Sequence, residues 1–242
     1  LVGSEMCIRD RFLTHVDFRS GFRYDLERIS RLAQSSGVLT VWDLSHSAGV
    51  MPLNLEKAGV DFAVGCGFKY LNGGPGAPGY LYVATRWQNK ITTPLRGWMG
   101  HASPFDFSRD YIPAAGIRRM LCGSPPILSM VALDVAVDLL MRAKLRDIRE
   151  KSVKLTSLFM ELLGRYANAY DFKVLPPLDK EDRGGQVSIS CSAASRRLKS
   201  LANSGLIADF RPPDLLRFGF SPLYTRYVDV WDASNILLKV LK

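Results

Sequence analysis

From residue 12 onward the apolar positions switch repeatedly between a period of two and a helical period. FLTHVDF (12–18) reads as a strand and RSGF (19–22) as a turn. DLERISRLAQSSG (25–37) reads as a helix, with Asp25 near its start and Gly37 closing it. VLTVWD (38–43) is a short, mostly apolar strand of the fully buried kind. A helical turn over 55–59 leads to a further strand, DFAVGC (61–66), then to the glycine-rich LNGGPGAPG and a fourth strand, YLYVA (80–84). Strands separated by helices of about ten residues predict a largely parallel sheet covered on both faces.

Residues 87–124 are rich in Gly, Pro, Trp and Arg and show no period, which in a compact protein points to function or to partial disorder. Two helices come next, 125–143 and 145–166, the second amphipathic. The remainder alternates short strands (FKVL, GQVSISC, IADF, LLRFGF) with helices near 194–203 and 228–241, a small α+β unit. The expected organisation is therefore α/β. Residues 11–150 form part of a large domain with a mostly parallel sheet, and residues 151–242 form a small carboxy-terminal domain. LVGSEMCIRD (1–10) has no cap, period or turn logic joining it to the first strand. It reads as adapter-derived sequence, outside the fold.

Composition narrows the class. A length of 242 residues with 47% hydrophobic content can bury a real core, and 23% charged residues is ordinary for a globular protein. The net charge of +9 raises the question of nucleic acid. The basic residues are dispersed, however, and the densest set, between Arg142 and Lys154, alternates with apolar residues as a solvated helix face does. No aromatic-interleaved basic strip supports nucleic-acid binding. Cys7, Cys66, Cys122 and Cys191 form no close pair and read as reduced thiols of a cytoplasmic protein. The three histidines are too scattered for a metal site. The most apolar long segment, 126–141, carries Asp134 and Asp138 four residues apart, which predicts an amphipathic helix and argues against a membrane span.

Chemistry concentrates at two strand ends, where ligands of open parallel sheets bind. VLTVWD ends at Asp43, followed by Ser45, His46 and Ser47; DFAVGC runs into Gly67, Phe68 and Lys69. A lysine desolvated beside other cations becomes an amine nucleophile toward aldehydes. A carboxylate facing a pyridine nitrogen keeps it protonated and makes the ring an electron sink. The glycines at 73, 74, 76 and 79 permit close backbone approach and offer main-chain NH groups to anions. Each residue alone has a plainer reading. Asp43 could be a turn or cap residue, His46 its capping partner and Lys69 a solvated side chain. A Ser–His–Asp relay of Ser45, His46 and Asp43 is poorer still, because the three lie too close along one strand exit, and no GxxxxGK[ST] loop occurs.

VWDLSHSAG (41–49), GCGFKYLNGGPG (65–76), GWMGH (97–101), LCGSPPI (121–127) and LRFGFSPLY (216–224) occur in this order and together resemble kynureninase. Kynureninases are pyridoxal-phosphate (PLP) enzymes of fold type I, related to the class V aminotransferases. The likeness runs from about Phe12 to the end; GWMGH and LCGSPPI narrow it from superfamily to family. The resemblance implies hydrolysis of L-kynurenine, and possibly of 3-hydroxykynurenine, to the anthranilate and L-alanine. It implies Lys69 as the residue that carries PLP and moves protons, Asp43 at the pyridine nitrogen, His46 against the cofactor and Thr14 as a hydroxyl contact. Trp98 and Ser124 match residues that reach the cofactor phosphate from a partner subunit, so a homodimer with shared sites is implied. His101 falls at a substrate-contacting position, and Arg217 at the clamp for the substrate α-carboxylate. The plainer readings are a loop position for Trp98 and His101 and a helix cap for Ser124. For Arg217, inside an apolar strand, the anion-ligand reading leads.

Two departures stand out. Phe68 occupies a position where the family usually carries a tyrosine whose hydroxyl meets the cofactor phosphate. An earlier segment of the family, with a phosphate loop and a ring-stacking aromatic, has no counterpart here, so the chain reads as a fragment without a complete site of its own. The competing readings are another class V PLP enzyme, an aminotransferase or a cysteine desulfurase, and a decayed homologue without catalysis. None of the four cysteines lies in an evident catalytic loop of the kind a desulfurase needs.

Overall fold

The computed structural model describes residues 10–167 and 169–242; the adapter-like stretch falls, up to residue 9, outside them. The first lobe is built on a four-stranded sheet, β1 (Asp10–Thr14), β2 (Leu39–Asp43), β3 (Phe62–Cys66) and β4 (Gly79–Val83), in that spatial order. β1, β2 and β3 are parallel and β4 returns antiparallel to β3, so the sheet is mostly parallel, as the alternation predicted. The physical reason for the antiparallel return is connection length. A parallel return needs a crossover of a dozen or more residues, usually helical, whereas the glycine-rich loop folds straight back.

The crossover from β1 to β2 is α1 (Leu26–Ser35), for which Asp25 is the N-cap, its carboxylate accepting the Arg28 amide at 2.9 Å. Gly37 takes φ +67°, the left-handed conformation suited to closing a helix. Leu26 of α1 packs with Trp42, Ala58, Val60 and Ala63 to form the core on one sheet face. The buried indole of Trp42 donates to Ser30 Oγ at 2.9 Å, so its one polar atom is satisfied. Among the described residues the expected cover on both faces is not met. Register places Phe12, Val41 and Phe62 together on the opposite face, where Phe12 is exposed and the other two are half-buried. The stretch 55–59 forms turns and gives that face no helix.

The strand expected over 12–18 ends at Thr14, because Asp17 nucleates a turn. Its carboxylate accepts the Ser20 amide at 2.7 Å, and Gly21 comes next at φ +76°. The irregular 87–124 region holds the end of a short helix, α2 (Thr85–Gln88), and two single 3-10 turns. α3 (Ile127–Met141) comes after it. The amphipathic reading of this helix fails: Leu140 is its one buried residue among those described, while Leu128, Val131, Val135 and Leu139 are exposed together with Asp134 and Asp138. Its apolar residues surround the axis, so two acids do not make a polar face. No described helix is long and apolar enough to cross a membrane.

α4 (Leu145–Gly164) leads into the second lobe. Ile148, Ser152, Leu155, Phe159 and Leu162–Leu163 recur at helical spacing on its buried face. They pack on an antiparallel sheet of β5 (Phe172–Val174), β6 (Gln186–Cys191), β8 (Leu215–Gly219) and β7 (Asp209–Arg211), in that order. α5 (Ala194–Asn203) and α6 (Tyr227–Leu241) complete a core in which Phe159 meets both Phe218 and Phe220 with ring centroids 5.1 and 5.2 Å away. Burying each such ring contributes roughly 1.5–3 kcal/mol.

The lobes meet along the turn after β1. The Arg23 amide donates to Asp182 O and the Gly184 amide to Gly21 O, while the Gln186 carboxamide donates to the carbonyls of Asp17 and Phe18. This seam sets the carboxy-terminal lobe against the ends of β1 and β2.

Candidate functional site

Parallel register brings Thr14 opposite Asp43, and Asp43 opposite Val64. Thr14 and Asp43 therefore share the open sheet face at the carboxyl ends of neighbouring strands. Asp43 Oδ1 accepts the Ser45 amide at 2.8 Å, the turn contact its plainer reading anticipated, and Thr14 Oγ1 donates to Val16 O at 2.9 Å.

Lys69 sits in a loop that closes on itself. The Gly73 amide donates to Gly67 O and the Asn72 amide to Lys69 O, each at 2.9 Å. A Cβ on Gly67 would lie 2.7 Å from Pro78 O, and one on Gly73 2.9 Å from Gly67 O, so the closure needs glycine at both positions. Gly73 thus spends its NH inside the loop, which corrects the expectation of a free amide at that position, and Gly79 belongs to β4. Gly49 fixes the other side. At φ +89°, a Cβ there would stand 2.6 Å from Tyr70 O, so the turn bearing His46 abuts the chain immediately after Lys69.

The two segments and the carboxy-terminal lobe enclose a cavity of about 580 Å³ in which His46, Lys69 and Arg217 are exposed to one another's field. Phe68, Tyr70, Phe220 and Tyr224 give it aromatic walls. Burial pushes the His46 imidazole down to about 4; Lys69 and Arg217 act in the same direction and Asp43 opposes them. His46 is therefore neutral at pH 7, able to accept or donate one hydrogen bond at each nitrogen. The Lys69 ammonium lies 5.6 Å from the Phe68 ring centroid, a cation–π contact in place of any hydroxyl. Arg217 donates to Asp209 and, across the seam, to Phe18 O at 3.2 Å. An anionic aromatic ligand with an electrophilic carbon would meet an amine, a neutral imidazole and a guanidinium here.

Five expected site residues do not line this cavity: Thr14 and Asp43 stand at the neighbouring strand ends, and Trp98, His101 and Ser124 lie elsewhere in the single chain. Trp98 and His101 line a second cavity of about 380 Å³, Trp98 against Phe105 at 5.7 Å between centroids. His101 accepts the Ser103 amide at Nδ1, leaving Nε2 to donate to Asp110 O, so both ring nitrogens serve its own loop. Ser124 is exposed and does not cap α3, whose N-cap, Pro126, has no side-chain cap bond. Asp209, Tyr70, Gly49 and Gln186 were not singled out from the sequence. For Gly49 the DLSHSAG turn was the available signal; for Asp209 only the sheet register reveals its partner.

Solved structures share the fold. The apo cysteine desulfurase of Thermococcus onnurineus NA1 superposes with a TM-score of 0.82 at 21% identity, over 96% of this chain and 60% of that one. C-DES, solved with glycine covalently linked to its PLP cofactor, superposes with a TM-score of 0.82 at 16% identity, over 97% and 60%. The fold is that of the fold-type-I PLP enzymes. Sequence is more specific. Residues 148–237 match the family described as Kynureninase C-terminal domain. The kynureninase of Deinococcus radiodurans is 48% identical over 229 residues, 95% of this chain and 56% of that protein. That of Pseudomonas fluorescens is 38% identical over 229 residues, 95% and 55%. The chain is thus similar to kynureninases over nearly all of its own length, and it spans about half the length of the curated relatives it matches.

Proposed function

We propose that the protein is a PLP-dependent kynureninase that hydrolyses the Cβ–Cγ bond of L-kynurenine to anthranilate and L-alanine. The observation that carries this reading is the shared cavity of Lys69, His46 and Arg217 with aromatic walls, in a chain 48% identical to a kynureninase. The residues present fit the cofactor. Lys69 offers the amine to its aldehyde, Asp43 the carboxylate to its pyridine nitrogen, His46 a neutral ring to lie against it and Thr14 a hydroxyl. The self-closed glycine loop supports this assignment, because it holds the Lys69 backbone in place before anything binds. When bound, PLP supplies the electron sink for charge developing on the substrate carbons.

The chain's own residues do the rest. Arg217 clamps the α-carboxylate, the aromatic wall takes the aniline ring, and Lys69 moves the proton at the α-carbon. Water delivers OH to the acyl carbon of the broken bond and a proton to Cβ, which balances the products. Trp98, His101 and Ser124 serve the site of a second copy. Their absence from the lining of the Lys69 cavity and the exposed apolar residues of α3 support a homodimer with shared sites. Cys66, Cys122 and Cys191 are free thiols, in keeping with a cytoplasmic enzyme. We place the division between the large and small domains near residue 150, within α4.

The test is to mix the protein, in the longest form its gene encodes, with PLP and L-kynurenine and follow anthranilate fluorescence. Its appearance, and its loss in Lys69→Ala, is expected; consumption of cysteine or transamination instead would overturn the reading. Phe68→Tyr is expected to slow PLP loss on dialysis by ~10-fold, on the order of one added hydrogen bond.

A further inference from the structure

The carboxy-terminal wall of the Lys69 cavity holds an acid that the proposed hydrolysis does not use. Asp209 and Arg217 are direct partners in the β7–β8 ladder. Side chains so placed start about 5 Å apart at Cβ, so the sheet itself presents the carboxylate to the guanidinium. Arg217 Nη2 donates to Asp209 Oδ2, and Arg211 Nη2 lies 2.8 Å from the same oxygen. From the other lobe, Phe18 O accepts Arg217 Nη1 at 3.2 Å, and that carbonyl is itself held by the Gln186 carboxamide at 2.9 Å. Both terminal nitrogens of Arg217 are thus anchored, one from each lobe, which fixes the plane of a side chain only 13% exposed.

Charge points the same way. Two guanidinium groups share one carboxylate, and all three residues line the cavity, so one positive charge is left unmatched where a ligand would sit. A free arginine side chain would have to be ordered at the moment of binding; an anchored one has already lost that freedom.

We propose that Asp209 is a positioning residue: it orients the Arg217 guanidinium so that its remaining donors receive a ligand carboxylate, and with Arg211 it sets the wall to accept one anionic group. The proposal rests on reading Arg217 as the carboxylate clamp.

Calorimetric titration of the PLP-loaded protein with L-alanine tests it without turnover, beside steady-state kinetics on L-kynurenine. Asp209→Asn is expected to weaken L-alanine binding and raise KM by ~10-fold with kcat within ~3-fold, the pattern of lost uniform binding. In an Arg217→Met background the same change should add less than ~2-fold, because the two residues act as a unit. Asp209→Glu should recover part of the loss, and it serves as the probe if Asp209→Asn does not fold. Tighter binding in Asp209→Asn would show that the acid competes with the ligand, and additive losses would show a merely structural pair; either overturns the proposal. If the parent binds L-alanine through Arg217 yet leaves L-kynurenine untouched, the kynureninase reading falls while the positioning role of Asp209 stands.

Discussion

The two lobes handle their apolar residues differently. In the carboxy-terminal lobe α4, α5 and α6 close over the sheet, and Leu155, Phe159, Ile189, Leu201, Leu216 and Leu237 have essentially no exposure. In the first lobe one sheet face is packed around Trp42, while Phe12 stays exposed at 68% and α3 leaves Leu128 at 89%. The first arrangement is what a self-sufficient core looks like. The second leaves large apolar side chains exposed on one sheet face and along α3. The candidate cavity sits where the two meet, so the closed lobe contributes Arg217 to its lining and the open lobe Lys69.

The contrast can be broken at its strongest point. Phe159→Ala should destabilise the carboxy-terminal lobe by about 3–5 kcal/mol in urea unfolding, because the ring fills the space between Phe218 and Phe220. Leu128→Ser on α3 should change unfolding by less than ~0.5 kcal/mol while lowering self-association in sedimentation. A large stability loss at Leu128 would mean that α3 is packed within the single chain.

Gly49→Ala comes next. It places a side chain at φ +89° and 2.6 Å from Tyr70 O, and should cost about 2–4 kcal/mol while separating the His46 turn from the Lys69 loop. Loss of PLP binding alongside loss of stability is the expected result.

A smaller effect tests the packed side of the first lobe. His15, buried at 3% exposure and bonded through Nδ1 to Ser47 Oγ at 2.8 Å, is pushed down to about 4 by burial, with Arg23 and Arg149 acting in the same direction. Unfolded, it titrates near 6.5, so the unfolded chain binds the proton first as the pH falls. The native state should therefore lose stability between about 6.5 and about 4, by up to ~3 kcal/mol from this residue. His15→Gln should flatten that slope in urea midpoints taken at pH 7 and pH 4.5; an unchanged slope would place the titration elsewhere.

Much of this organisation was legible in the sequence. Asp25 and Gly37 marked the ends of α1, the helix near 194–203 was read within its observed bounds, and the strand-end rule brought forward His46 and Lys69, which line one cavity. What local pattern could not carry was pairing between distant segments. The direction of β4 depends on how the glycine loop folds back, and the Asp209–Arg217 pair depends on a register between two strands. The failed reading of α3 has a related cause: Asp134 and Asp138 suggested a polar face, but burial is decided by what packs against a helix. Phe68, read as a departure, gained a contact the sequence did not suggest, the Lys69 ammonium near its ring.

The central claim is that the amine of Lys69 is the one that takes the cofactor. Incubation with PLP, reduction with borohydride, digestion and mass spectrometry would locate the fixed pyridoxyl group. The account predicts a single modified peptide, carrying the label at Lys69 and absent after Lys69→Ala. A label spread over surface lysines with Lys69 unmodified would contradict it.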